Sequence, residues 1–200
     1  MNKNRYRIGV LTSGMSRGSN LLAIRNWFNE NQLPVDISFV VVTHRRAPVI
    51  ERCQYFGLEH IFVSTKDMAE FEERVLTLIS EREIDLIVLA GFLKKLSAEF
   101  LEKAAIPTLN IHPALLPKYG GEGMYGSNVH KEVFRNQESE SGATVHYVNK
   151  CYDEGEIILQ RKVGLEGCES PEQVAERVLK IEHETYAPAI WEALQRHRKL

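Results

Sequence analysis

The sequence predicts an α/β fold: one Rossmann-like domain with a mostly parallel sheet, helices on both faces and an antiparallel C-terminal strand pair. Continuous apolar runs recur at Ile8-Gly9-Val10-Leu11, Ile37-Ser38-Phe39-Val40-Val41-Val42 and Leu86-Ile87-Val88-Leu89-Ala90. Strands buried on both faces read as such solid runs, and segments of helical spacing lie between them, which is the rhythm of a parallel sheet with covering helices. Beyond residue 140 the pattern changes. Thr144-Val145-His146-Tyr147-Val148 alternates, a turn follows at Asp153-Glu154-Gly155, and Ile157-Ile158-Leu159-Gln160 returns, so an antiparallel pair is expected.

Taken in order, residues 8–11 form a short buried strand, and Gly14, Ser16, Gly18 and Ser19 make a loop. Asn20 then opens a helix that carries Trp27 and Phe28. Residues 37–42 are rich in β-branched side chains and form the second strand. A helix over about 48–55 and a short strand over 61–63 follow. Met68, Phe71, Val75, Leu78 and Ile79 fall on one face of an amphipathic helix. Residues 86–90 make another strand ending at Gly91, and after a short helix the next strand covers 107–111. Ser170-Pro171-Glu172-Gln173 has the form of a capping box with Pro at the first helical position. It starts the last helix, which Pro188 should kink or stop. No repeat, low-complexity run or linker interrupts the chain, so residues 1–200 read as a single domain with halves 1–105 and 106–200.

A chain of 200 residues can bury one sizeable α/β core or two small ones. A net charge of −2 argues against a broad polyanion-binding surface, so nucleic acid is not an expected partner and any phosphate must be held locally. Three cysteines (Cys53, Cys151, Cys168) with no C-x-x-C pair indicate neither a disulfide framework nor a zinc site. The basic start leads only into a short apolar run, which is no signal peptide, and no stretch is long enough to span a bilayer. The cytoplasm is therefore the expected location, with no membrane partner.

The most informative stretch is Asn110-Ile111-His112-Pro113, followed by Ala114-Leu115-Leu116-Pro117. In an extended chain residues i and i+2 share a side, so Asn110 and His112 can address one reacting atom together. Pro113 lacks an N–H and holds His112 in extended geometry, as at a strand exit. Alone, an N-x-H-P segment reads as a strand exit with a surface histidine. Ser13-Gly14-Met15-Ser16-Arg17-Gly18-Ser19-Asn20 lies between the first strand and the first helix, where backbone N–H groups and a helix N-terminus can meet an anion. A plain glycine-rich turn fits it equally well. It does not match the dinucleotide fingerprint, because no second glycine lies between Gly14 and Gly18.

With Ser141-Gly142-Ala143-Thr144-Val145-His146-Tyr147-Val148 and Tyr152-Asp153-Glu154-Gly155 added, the pattern resembles the folate-dependent formyltransferases, from about residue 8 to the helix near 186. The likeness is greatest to the branch that acts on glycinamide ribonucleotide. It implies transfer of the formyl group of 10-formyltetrahydrofolate to the amine of N1-(5-phosphoribosyl)glycinamide in purine synthesis. The partners implied are two small molecules, with no metal, in a monomer or homodimer. Residue by residue, the resemblance implies Asn110, His112 and Asp153 as the catalytic group. Gly18, Ser19 and Asn20 would hold the phosphate, with Arg17 brought in by two extra loop residues, and Glu182 the ribose hydroxyls. The folate ring would meet the backbone of Leu93, Lys94, Lys95 and Leu96, together with Asn110, Asn149 and Tyr152.

The implied mechanism has Asn110 and protonated His112 stabilising the oxyanion, and Asp153 raising the pKa of His112. Where the family has an arginine facing the folate glutamate, this chain reads Ser64-Thr65-Lys66-Asp67-Met68, with Lys66 as a substitute. Leu179 stands where many members carry lysine, with Lys180 beside it. The loop 120–126 is about five residues longer than the family's common form, and its four glycines predict a mobile flap capped by Met124 and Tyr125. His44, His60, His130, His146 and His183 read as surface or packing residues, and Cys151 as a packed side chain. The rival readings are a formyltetrahydrofolate deformylase, in which water replaces the amine, and a non-catalytic folate- or nucleotide-binding protein. The phosphate loop, Pro113 and the lack of an N-terminal regulatory domain weigh against the deformylase. A methionyl-tRNA formyltransferase would need a further C-terminal domain.

Overall fold

A computed structural model describes residues 5–13 and 17–197. The strands follow the order 60–62, 35–42, 6–12, 86–89, 108–112, 140–147, 157–164. The chain clusters into two compact units, Met1–Leu109 and Asn110–Leu200.

In the first unit, β1 (Tyr6–Thr12) pairs in parallel with β2 (Val35–Val42) on one side. The helix α1 (Ser19–Glu30) joins them. After α2 (Val49–Tyr55), β3 (His60–Phe62) adds to β2, and after α3 (Met68–Arg82), β4 (Leu86–Leu89) pairs with β1, both in parallel. Leu86, Ile87, Val88 and Leu89 are all buried, as a continuous apolar run should be. Gly9 is required by packing: a Cβ there would stand 2.5 Å from the Phe39 ring and 2.9 Å from Ile87. The register of β1 on β2 shifts at that same point, between Ile8 and Gly9.

Helix starts in this unit follow capping chemistry. The Asp67 carboxylate accepts the N–H groups of Ala69 and Glu70 at the start of α3. Ser97 caps α4 (Ala98–Ala104) through the N–H of Phe100. Glu72 on α3 accepts both the N–H and the hydroxyl of Ser97, which ties the two helices together.

β5 (Thr108–His112) crosses the division between units, and its last three residues belong to the second. That unit continues with α5 (Ser127–Arg135), the antiparallel pair β6 (Glu140–Tyr147) and β7 (Ile157–Gly164), and α6 (Pro171–His197). Ala114, Val129, Val133, Leu165, Val174 and Val178 form a core cluster there.

The last helix was expected to kink or stop at Pro188, and it does not stop there: α6 runs through it. Proline removes one backbone hydrogen bond, but Tyr186, Ala187, Ala189 and Ile190 on either side are fully buried, so tertiary packing carries the helix across the break. Its cap is also shifted. Gln173 N–H donates to Ser170 Oγ as the box requires, while the Gln173 side chain accepts from Glu169 N–H, one residue earlier than expected.

Candidate active site

β5 extends one residue further than the apolar run suggests, so His112 is its last residue. Alternation places Asn110 and His112 on one side of the strand. His112 is only 3% exposed. The chain beyond Pro113 is pinned from the hairpin. Thr144 Oγ1 on β6 donates to Ala114 O and accepts Leu116 N–H at 3.1 Å. Gln160 on β7 donates to Leu116 O and to Thr144 Oγ1, at 3.0 and 2.8 Å.

The pinned segment leads into the glycine loop, whose backbone reaches both His112 and Asp153. Tyr119 adopts a φ of 57°, and its carbonyl accepts a hydrogen bond from His112 Nε2 at 2.7 Å. Gly121 N–H donates to Asp153 Oδ2 at 2.9 Å. Between them a side chain on Gly120 would crowd Leu116 and come within 3.2 Å of the Asp153 Cβ, so the loop passes there only because residue 120 is glycine.

Asp153 stands between two imidazoles. Its Oδ2 is 3.5 Å from His112 Nδ1, and its Oδ1 is 3.5 Å from His146 Nε2. His146 Nδ1 donates to the Tyr147 carbonyl at 2.9 Å. In the neutral ring this leaves Nε2 as an acceptor, 3.2 Å from the Asn110 amide nitrogen. One hydrogen of the Asn110 amide is then committed to His146, which orients the carboxamide and leaves its second hydrogen for another acceptor.

The electrostatics correct one expectation. Burial is the largest influence on His112 and lowers its pKa; the Asp153 charge and the Tyr119 carbonyl raise it, His146 lowers it, and the net direction is down. Asp153 thus acts in the expected direction without overcoming burial. For Asp153 itself, burial pushes the carboxyl up, but the approach of His146, the His112 charge and the Gly121 N–H together pull it below the usual range.

His146, which the sequence reading assigned to the surface or to packing, joins this group. The available signal was the alternation of β6, which puts Thr144 and His146 two apart on one side, the same spacing that marked Asn110 and His112. The two side chains expected to cap the loop are placed differently. Met124 packs against the core cluster of α5 and α6, while Tyr125 is 54% exposed, so of the two expected caps only Tyr125 stays free to cover a ligand.

The other expected residues take these places. Gly18, with a φ of 72°, is the N-cap of α1, and Ser19 and Asn20 form its first turn. Arg17 is exposed, and Gly14, Met15 and Ser16 lie outside the described residues. Leu93, Lys94 and Lys95 are exposed, whereas Leu96 is buried and has only its backbone to offer a ligand. Asn149 accepts Cys151 N–H in a local turn, and Tyr152, beside Asp153, is largely exposed. Glu182 lies partly buried on α6. Among the described residues no group of three or more His, Cys, Asp or Glu could hold a metal ion, and no helix is long and apolar enough to cross a membrane.

The family model described as formyl transferase matches residues 6–190. The chain belongs to the formyl transferase family. Its relatives there include a chloroplastic phosphoribosylglycinamide formyltransferase of Arabidopsis thaliana, 32% identical over 93% of this chain and 64% of that protein. The phosphoribosylglycinamide formyltransferase of Haemophilus influenzae is also 32% identical, over 90% of this chain and 83% of that one. The chain thus spans less than two thirds of the plant relative's length. A crystal structure of the Anaplasma phagocytophilum phosphoribosylglycinamide formyltransferase superposes with a TM-score of 0.85 at 31% identity, covering 98% of this chain and 88% of that one. As a formyl transferase family member, the chain has a precedent for the α/β sheet with its antiparallel pair.

Proposed function

We propose that this protein transfers the formyl group of 10-formyltetrahydrofolate to the amine of N1-(5-phosphoribosyl)glycinamide in purine biosynthesis. The observation that carries the reading is the Asn110–His146–Asp153–His112 group in a formyl transferase family chain; the relatives' names supply the amine. The reading includes two small-molecule partners, no metal, a cytoplasmic setting and a monomer or homodimer.

The amine attacks the formyl carbon, forming a new C–N bond while the carbonyl electron pair moves onto oxygen. The free N–H of Asn110 is a donor for that oxyanion. The new ammonium releases its proton to Asp153, directly or through water, and the proton passes to His112, whose neutral form burial favours. The imidazolium then protonates the folate nitrogen as its bond to the formyl carbon breaks, so no net proton is gained or lost. The Tyr119 carbonyl, which occupies Nε2, must yield for His112 to reach the leaving nitrogen. This assigns the loop a part in turnover. Backbone N–H groups at the start of α1, from Gly18 to Asn20, with Arg17, take the phosphate. Glu182 takes the ribose hydroxyls, and Leu93 to Leu96 with Asn149 and Tyr152 take the folate.

The test is purified protein with 10-formyltetrahydrofolate, with and without the ribonucleotide. Release of tetrahydrofolate that depends on the amine, with formylated ribonucleotide as product, is expected. Release at the same rate without amine makes the protein a deformylase.

A further inference from the structure

Tyr119 is tied at both ends. Its backbone carbonyl meets His112 Nε2 at 2.7 Å. A carbonyl oxygen only accepts, so in the neutral ring the proton sits on Nε2 and Nδ1 keeps a lone pair. That lone pair faces Asp153 Oδ2 at 3.5 Å. At the other end the Tyr119 phenol donates to Glu138 Oε1 at 2.9 Å, and Lys118 Nζ holds the same carboxylate at 3.0 and 3.4 Å. Glu138 lies between α5 and β6 with its N–H bonded to Val133 O, and Tyr119 packs on the core cluster that contains Val133. The backbone needs such an anchor, because a φ of 57° is a region that bulky side chains rarely adopt. Without the bond at Nε2 the opposite tautomer gains, since Nδ1–H would then donate to a carboxylate, a stronger acceptor than a carbonyl.

We propose that Tyr119, anchored by Glu138, is a positioning residue that fixes the tautomer of His112, so that Nδ1 receives a proton and Nε2 delivers one. This rests on the formyl transfer proposed above. The proton of the amine reaches Asp153 and passes from Oδ2 to Nδ1, which is bare only while the Tyr119 carbonyl keeps the ring's own proton on Nε2. When the carbonyl yields, Nε2 gives that proton to the folate nitrogen as its bond to the formyl carbon breaks, and retains the electron pair of the N–H bond. One proton enters the ring and one leaves. The ring is then protonated on Nδ1 alone, and exchange with water restores the resting tautomer before Tyr119 bonds again. With the opposite tautomer at the outset, Nδ1 is already occupied and cannot take the proton from Asp153.

Ring-nitrogen NMR of histidine-labelled protein, recorded without substrates at a pH where the ring is neutral, reads the tautomer directly, with His112→Asn assigning the signals. Wild type should show a protonated Nε2 and a bare Nδ1. Tyr119→Phe, which loses only the phenol oxygen, and Glu138→Leu should both move His112 towards the Nδ1–H form. Both should lower kcat about tenfold, the population change that one lost hydrogen bond produces, and leave KM for either substrate within error. Glu138→Gln keeps an acceptor for the phenol and should recover most of kcat and of the wild-type tautomer. A wild-type ring protonated on Nδ1, a Tyr119→Phe variant with the wild-type tautomer, a shifted tautomer with unchanged kcat, or a Gln variant no better than Leu overturns the assignment. If Glu138→Leu fails to fold, Tyr119→Phe decides alone. Wild-type turnover that ignores the amine sinks the formyl transfer reading and this proton path with it, and is told apart from a wrong tautomer because the spectrum is taken without substrates.

Discussion

β4 in the first unit and β6 in the second are both buried for most of their length, yet they use burial differently. β4 is Leu86, Ile87, Val88 and Leu89, with no side chain that needs a partner. β6 buries Ser141, Thr144 and His146 among Ala143 and Val145. Thr144 bonds Ala114, Leu116 and Gln160, and His146 bonds Tyr147 and Asn110. Apolar burial is non-directional and tolerates small displacements, whereas a buried polar group is stabilising only when its partners are in place. β4 therefore adds stability without demanding a particular geometry, whereas β6 does so only while its partners hold theirs.

The largest test of that contrast is Phe39→Ala. Phe39 is fully buried and packs where Gly9 makes room for it. Its loss should cost about 3–5 kcal/mol of stability, read by denaturant unfolding, with kcat of the surviving folded fraction little changed. A loss below about 1 kcal/mol would break the assignment of stability to this sheet.

Asp153→Asn should do the converse, lowering kcat about a hundredfold or more while the fold survives. Asparagine keeps the shape but not the charge between the two imidazoles. Wild-type turnover would remove Asp153 from the proton path.

The third effect is smaller and depends on pH. The folded pKa of His130, about 4, lies below the ordinary 6.5. Between those values the unfolded chain binds a proton that the folded chain does not, so stability falls as pH drops through that window and is independent of this group above it. His112 acts in the same direction. The contribution of His130 is at most roughly 3 kcal/mol. Melting curves from pH 7.5 to 4.5 should show a steeper acid loss in wild type than in His130→Asn. Parallel curves would mean that His130 is protonated in the fold.

Much of this was legible beforehand, for identifiable reasons. Buried parallel strands write themselves as apolar runs, and N-x-H-P put Asn110 and His112 on one side of a strand exit, while the roles proposed for them came through resemblance. Asp153 was reached through resemblance, since nothing local to Tyr152-Asp153-Glu154 distinguishes it from a turn. His146 was missed because an alternating strand shows which side a residue takes, not whether that side holds a site. Pro188 left a kink and a stop both open because its local cost is certain, while the packing that offsets it comes from residues distant in sequence.

The sequence by itself determined the α/β class, the order of elements and the placing of Asn110 and His112 on one side of a strand exit, because periodicity and proline geometry are local properties. Tertiary structure alone decided that Asp153 lies between His112 and His146, and that Tyr119 and Gly121 hold them through backbone atoms. It also decided that burial outweighs the carboxylate in setting the charge of His112. Those outcomes depend on distance and desolvation, quantities that arise only when residues far apart in the chain are brought within a few ångströms of each other.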